Sequence, residues 1–514
     1  MNTAVSSRQK QSQKKTTKQK PARQQQAARK PVRGKWLKIN SVAASRARTR
    51  VAKPGAKPRR KAAPAKATRP AKTATDKHAA LPKSGPELEE LVQQLRSKNS
   101  TTQEEAIGRL VQMGTPAVGL LLEAVEHKSY HVRMAAARAL GEIGDDRAIK
   151  PLLGLLSDSS VNVQARAAEA LAKIGPTSTA SLLGALTSSD QLSRRWAAQA
   201  LGKIGDDSVV HQLMECLKDD NVDVQRAAIA ALGALRSKEA TGPLMDILGG
   251  DNVDLGRAAA EALGKIASPT AVEPLVAALR SSSIDVRSAA ADALVCIGKR
   301  AVPTLIAATT HADYVVRRWA AEALGQIGDR RAVGPLIQAL KDEEPRVVRY
   351  AALALGCLGD SSAIPPLLTL LDSPDDDLRF AAVRALGNIG SRGVVKHLRE
   401  RLKDSDYVVR FSAAQGLGSV GGKQAARALV PALKDPEWSV RFHAVAGLGQ
   451  IRDKLALKAL TKALRDPDHR VRKNAAAALA AVGGDKARKA LEQVREEADE
   501  RTKMAVDLAI AALA

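Results

Sequence analysis

One leucine returns every 30 or 31 residues, at Leu110, Leu140, Leu171, Leu201, Leu232, Leu263, Leu294, Leu324, Leu355, Leu386, Leu417, Leu448 and Leu479, with Ile510 in the next place. A period of that length marks a single supersecondary unit repeated along the chain. Each marker leucine sits in the motif VRxxAAxALGxIGD. In the copy starting at Val315, the apolar positions Val316, Ala320, Leu324 and Ile327 are three or four apart, as on one face of a helix. A second helical pattern precedes it. In GDRRAVGPLIQALKD from Gly328, Val333, Leu336, Ile337 and Leu340 fall at i, i+3, i+4 and i+7. The Pro335 slot recurs as Pro151, Pro243, Pro274 and Pro366. Proline is tolerated in a helix only in its first turn, so the first helix of each pair is expected to start there. Glycine follows the second helix in 10 of the 13 leucine-marked units, Gly144 and Gly328 among them, where a left-handed residue ends a helix.

Helix pairs this short cannot bury an apolar face alone, but stacked pairs share a continuous core. The expected fold is all-α: an α-solenoid, or superhelix, of about 14 helical hairpins over residues 84–514. Aromatic residues are 2% of the chain, so that core must be built from Ala, Leu, Val and Ile. The first unit, from Pro86, is rich in charge, as a terminal cap should be. The last helix, around MAVDLAIAALA, has few polar groups and reads as a weak cap or a self-association edge.

The formal charge of +27 is unevenly placed. Residues 1–83 hold 25 Lys and Arg against Asp76 alone, whereas 84–514 hold 56 against 53 acids. The first segment has too little apolar surface to offset the entropy of ordering and is expected to be a disordered basic tail. Such an arm binds nucleic acid or another polyanion by counterion release, and Lys53, Lys57, Arg59, Arg60, Lys61, Lys66 and Arg69 are its candidate contacts. A short apolar stretch within it, Trp36, Leu37, Ile39 and Val42, is a candidate docking motif. No apolar run is long enough to span a membrane. MNTAVSSRQK at the start lacks an apolar leader. The expected location is cytoplasmic, on the nucleoid in a bacterium or in the nucleus of a eukaryote.

AVxPLIxALxD followed by VRxxAAxALGxIGD resembles the HEAT repeats, in particular their phycobilisome-lyase-like subclass, over about 84–514. The tail is similar in composition to linker-histone tails. The resemblance to HEAT repeats implies a superhelix with second helices lining the concave side. It also implies a ladder formed by a turn Asp and the Arg six residues on, as in Asp404/Arg410, Asp435/Arg441 and Asp466/Arg472. Gln164, Gln225, Gly256 and Val348 break that pattern, so the ladder is expected to be regular toward the C-terminus and interrupted in the middle.

The sequence carries no nucleophile, metal or phosphate-loop motif, and the ALGxIG glycines read as helix caps. Deoxyhypusine hydroxylase, a HEAT enzyme, binds iron through His-Glu dipeptides; none of the eight histidines here is followed by Glu. The three cysteines lack metal or disulfide spacing. No cofactor, metal site or catalytic residue is expected, although bilin lyases share these repeats and a lyase-like or other modifying subunit is the alternative reading.

The sharper signal is a stripe. Stepping 100° per residue, the position six before each marker leucine faces away from the core. It reads Arg195, Arg226, Arg257, Ser288, Arg318, Arg349, Phe380, Phe411 and Phe442. The next position holds Trp196, Trp319 and Tyr350. Arg257/Glu261 and Arg318/Glu322 are also spaced as i,i+4 ion pairs. Arg and aromatic residues dominate protein interfaces. The expected function is a non-enzymatic scaffold or adaptor that holds a protein partner, with an acidic or amphipathic segment, along the second-helix face. A third reading puts nucleic acid on the solenoid through Arg194, Arg195 and Trp196 and the matching Arg317, Arg318 and Trp319.

Overall fold

The computed structural model describes residues 85–97 and 99–513. The tail cations Lys53 to Arg69 and the Trp36 segment lie outside the described residues. Those described form 28 α-helices and no strand, arranged as fourteen successive hairpins. From Tyr130 onward every second helix is 14 residues long up to His469–Val482. Most first helices are shorter, for example Ile149–Gly154 and Val333–Ala339, and several continue a 3-10 turn such as Arg330–Ala332. Pro335, Pro151, Pro243, Pro274 and Pro366 each stand third in their helix, within the expected first turn.

All thirteen marker leucines, from Leu110 to Leu479, are fully buried. They lie between the first- and second-helix layers, so the core is a single apolar seam running the length of the stack. Second helices pack side by side, and glycine sets how closely. A Cβ on Gly141, Gly202 or Gly325 would sit 2.5, 2.6 or 2.7 Å from the Cα of Ala170, Ala231 or Ala354 on the next second helix. The first glycine of ALGxIG is therefore a packing residue, which corrects its reading as a cap; only the second glycine ends the helix. That second slot has positive φ in all 13 leucine-marked units, including the non-glycine Arg236, Ala267 and Arg452. Close approach in the second-helix layer, with no equivalent between first helices, curves the stack toward the second-helix side.

The Arg–Asp ladder is present, but its rungs cross from one repeat to the next. Arg410 donates from Nε and Nη2 to both carboxylate oxygens of Asp435, 25 residues on, at 2.8 and 3.1 Å. Its Nη1 binds the backbone carbonyls of Asp404 and Ser405. The expected side-chain pair Asp404/Arg410 is thus a backbone contact, and Asp404 instead receives Arg379. Rungs run unbroken from Arg379–Asp404 through Arg410–Asp435 and Arg441–Asp466 to Arg472–Asp499. Earlier rungs stand at Arg133–Asp158, Arg194–Asp219 and Arg317–Asp342. Gln164 and Gln225 keep only the backbone half of the contact, to the carbonyls of Asp158 and Asp219.

Candidate functional site: the second-helix face

Each second helix is covered by first helices below and by its neighbours on both sides, so one narrow strip of it stays open. The strip carries the residues two and six before the marker leucine. Arg195, Arg226 and Arg257 meet in one groove of about 430 Å³, together with Lys203 and Lys265. Within it Arg226 pairs with Asp223, and Arg257 with Glu261 at 2.7 Å, as the i,i+4 spacing predicts. A second hollow continues past Ser288 to Cys296.

The rings of the middle repeats are structural. Trp196, Trp319 and Tyr350 are 5%, 8% and 8% exposed, so their surfaces face protein and are closed to a partner. Arginines roof them: Arg195 lies 4.8 Å from the Trp196 ring, Arg318 lies 4.1 and 4.8 Å from Trp319 and Tyr350, and Arg349 lies 5.1 Å from Tyr350. Arg318 thus meets two rings at once. Arg349 also binds Asp377 at 3.0 Å. Arg194 and Arg317 are held in rungs. Each Arg-Arg-Trp triplet therefore keeps one arginine outside the ladder, stacked on a ring.

Toward the C-terminus the strip changes character. Phe380, Phe411 and Phe442 lie on successive second helices, Asp376–Ile389, Tyr407–Val420 and Trp438–Ile451, and all three are half-buried. The rings lie on the slot that the helical wheel turns from the core, and neighbouring second helices flank each of them. His443 stacks on Phe411 at 5.1 Å and meets Phe442 edge-on at 5.4 Å. Burial, and then the charge of Arg384, hold the His443 pKa below its ordinary value, so the imidazole is neutral at pH 7. Arg384 lies 5.7 Å from the Phe380 ring and makes no ion pair among the described residues. Burial lowers its pKa, the sign of a cation short of solvent and of a counter-charge. Sequence reasoning missed Arg384 because it read only the slot six before the leucine. Arg384 is two before Leu386 and shares the same strip.

Among the described residues no group of His, Cys, Asp and Glu could hold a metal. Burial pushes the Cys216 thiol up to about 11, far from a thiolate at neutral pH. No helix among them is long and apolar enough to cross a membrane.

A curved two-layer stack of helical hairpins with a polar-to-aromatic strip on its closely packed side is an α-solenoid. The pattern that defines HEAT repeats matches residues 88–172, 150–233, 211–295, 302–383, 364–437 and 426–511, and the chain belongs to that family. No curated protein matches the sequence. Among solved structures it is similar to Kap121p bound to Pho4p, with a TM-score of 0.61 and 14% identity over 83% of this chain and 57% of that one. It is also similar to the Kap95:Nup1 complex, with a TM-score of 0.59 and 15% identity over 83% of this chain and 70% of that one. The chain thus spans little more than half of Kap121p, and at these identities the likeness defines the fold.

Proposed function

We propose that this protein is a non-enzymatic adaptor that holds an extended, apolar and acidic segment of a partner protein along its second-helix face. The observation that carries this reading is the row Phe380–Phe411–Phe442 with the unpaired Arg384 beside it. Half-buried rings in a row offer adjacent apolar seats, and a desolvated guanidinium without a carboxylate favours one brought by a ligand. Solenoids of this fold in complex with Pho4p and Nup1 support a protein-binding use of such a stack. We read the repeats as phycobilisome-lyase-like on their AVxPLIxALxD and ALGxIG motifs, with no lyase chemistry attached. The cytoplasm, nucleoid or nucleus suits the charge of residues 1–83, which we assign to a polyanion.

The test uses the full chain and a panel of immobilised peptides of about sixteen residues, in which Leu or Phe alternates with Asp or Glu, or with Asn or Gln. The acidic peptides should bind, and Arg384→Gln should weaken them about tenfold, or about 1.4 kcal/mol. Phe411→Ser should do the same while thermal melting stays cooperative. Equal binding of acidic and amide peptides, or no effect of either variant, sinks the reading. Removal of residues 1–83 should flatten the salt dependence of duplex DNA binding; an unchanged slope removes the tail from it.

A further inference from the structure

The opposite side of the same repeats carries a different charge pattern. Residues 391–490 hold 21 Lys and Arg against 9 Asp and Glu, while 84–390 hold 32 against 38. Most of the nine acids are already used. Asp404, Asp435 and Asp466 are rungs for Arg379, Arg410 and Arg441. Asp406, Asp453 and Asp468 cap helices through backbone amides. The excess cations lie on the first helices, which form the outer layer. Between Val395–Arg401 and Gly422–Ala432 opens a groove of about 1060 Å³. Lys396, Arg399, Lys403, Arg427 and Lys434 line it, all exposed and none in an ion pair among the described residues; Glu400 and the rung Asp435 are its acids. The next outer helix, Leu457–Ala463, continues the stripe with exposed Lys458 and Lys462, and Lys454 just precedes it. Lys486 and Lys489 extend it onto Asp485–Arg495.

We infer that this outer face binds the phosphate backbone of a nucleic-acid duplex. Clustered Lys and Arg without acidic partners are what backbone phosphates require. Packed layers about 8–10 Å apart make four outer helices about 30 Å long, close to one duplex turn of about 34 Å. These helices carry no Phe, Tyr or Trp, so they lack the large stacking platforms that single strands use. The large exposed apolar residues, Tyr407, Met504 and Leu508 among them, are all on other helices, so an anionic membrane would find no anchor here. The site shares no residue with 1–83 or with the second-helix strip.

The experiment titrates the full chain against a 24-base-pair duplex DNA over a series of salt concentrations, beside Lys396→Gln/Arg399→Gln/Lys403→Gln/Arg427→Gln/Lys434→Gln. With a slope of about 0.9 per neutralised phosphate, the variant's log–log slope should be shallower by about 4. Acetylation footprinting of the unaltered protein should show Lys396, Lys403 and Lys434 protected by duplex. This second readout decides the matter even where the variant folds poorly. An unchanged slope together with unprotected lysines overturns the inference. Protection by polyglutamate or by anionic vesicles but not by DNA, or tighter binding of a single strand than of duplex, overturns it as well. The peptide-site variants Arg384→Gln and Phe411→Ser should leave the DNA slope unchanged, so failure of either proposal is separable from the other.

Discussion

The side-chain oxygen of Gln164 accepts a buried hydrogen bond of 2.9 Å from the indole Nε1 of Trp196 in the following repeat. Gln164 occupies a slot where the ladder would place an arginine, and its amide nitrogen still reaches the carbonyl of Asp158. The equivalent pair further on is Arg287 and Trp319, where both groups are donors. Accordingly the Nε atoms of Arg287 and Trp319 are buried without partners.

Arg287 also lacks a rung carboxylate, because Ala312 stands where other repeats have Asp. Arg287→Gln should give Trp319 an acceptor, keep a bond to the Ser281 carbonyl, and stabilise the fold by about 1 kcal/mol. Gln164→Leu should cost about 1–3 kcal/mol by leaving the Trp196 indole unsatisfied. Denaturant unfolding of both variants checks this. A less stable Arg287→Gln protein would show that the arginine's two backbone contacts outweigh the orphaned indole.

Acid should act through the ladder. The hydrogen bonds from Arg194 hold the Asp219 carboxyl below its ordinary range, with burial opposing them. A carboxyl whose pKa is lowered by folding adds stability above its unfolded value of about 3.9 and loses it as pH falls through the folded value. Unfolding free energy should therefore drop below about pH 4, and Asp219→Asn should be less stable at pH 7 yet shallower in its acid dependence. Parallel curves for the two proteins would clear this rung of the effect.

Two glycine slots should respond in opposite senses. At Ala267, with φ of 55°, Ala267→Gly should stabilise by about 0.5–1 kcal/mol, since a left-handed L-residue is strained. Gly325→Ala would put a Cβ 2.7 Å from the Ala354 Cα and should cost about 1–3 kcal/mol by forcing neighbouring helices apart. Thermal melting of each variant decides, and an unaffected Gly325→Ala protein would mean the second-helix layer is looser than its geometry.

The period of the marker leucines was legible because a buried position admits few residues, and every one of them is in the seam. Proline and glycine slots were legible for the same local reason. Contacts between repeats were not. Spacing showed Asp404 and Arg410 six apart, but the carboxylate that Arg410 grips is on the following turn. It showed two glycines in each ALGxIG, but their separate duties depend on which helix lies opposite. A wheel drawn for one helix has one buried side, whereas a helix in a stack has three. That difference turned Trp196, Trp319 and Tyr350 inward and half-covered Phe380, Phe411 and Phe442. Arg384 and the outer lysines were missed because neither follows the aromatic register.

The glycine-to-alanine contacts have a mechanical meaning. They fix the inner edge of the stack at nearly constant spacing, while no glycine contact of this kind ties the outer helices together. Bending is then the soft motion, with the ladder as its hinge line. A rod-like ligand laid across Lys396 to Lys489 would stiffen the outer edge and so set the radius of the row formed by Phe380, Phe411 and Phe442.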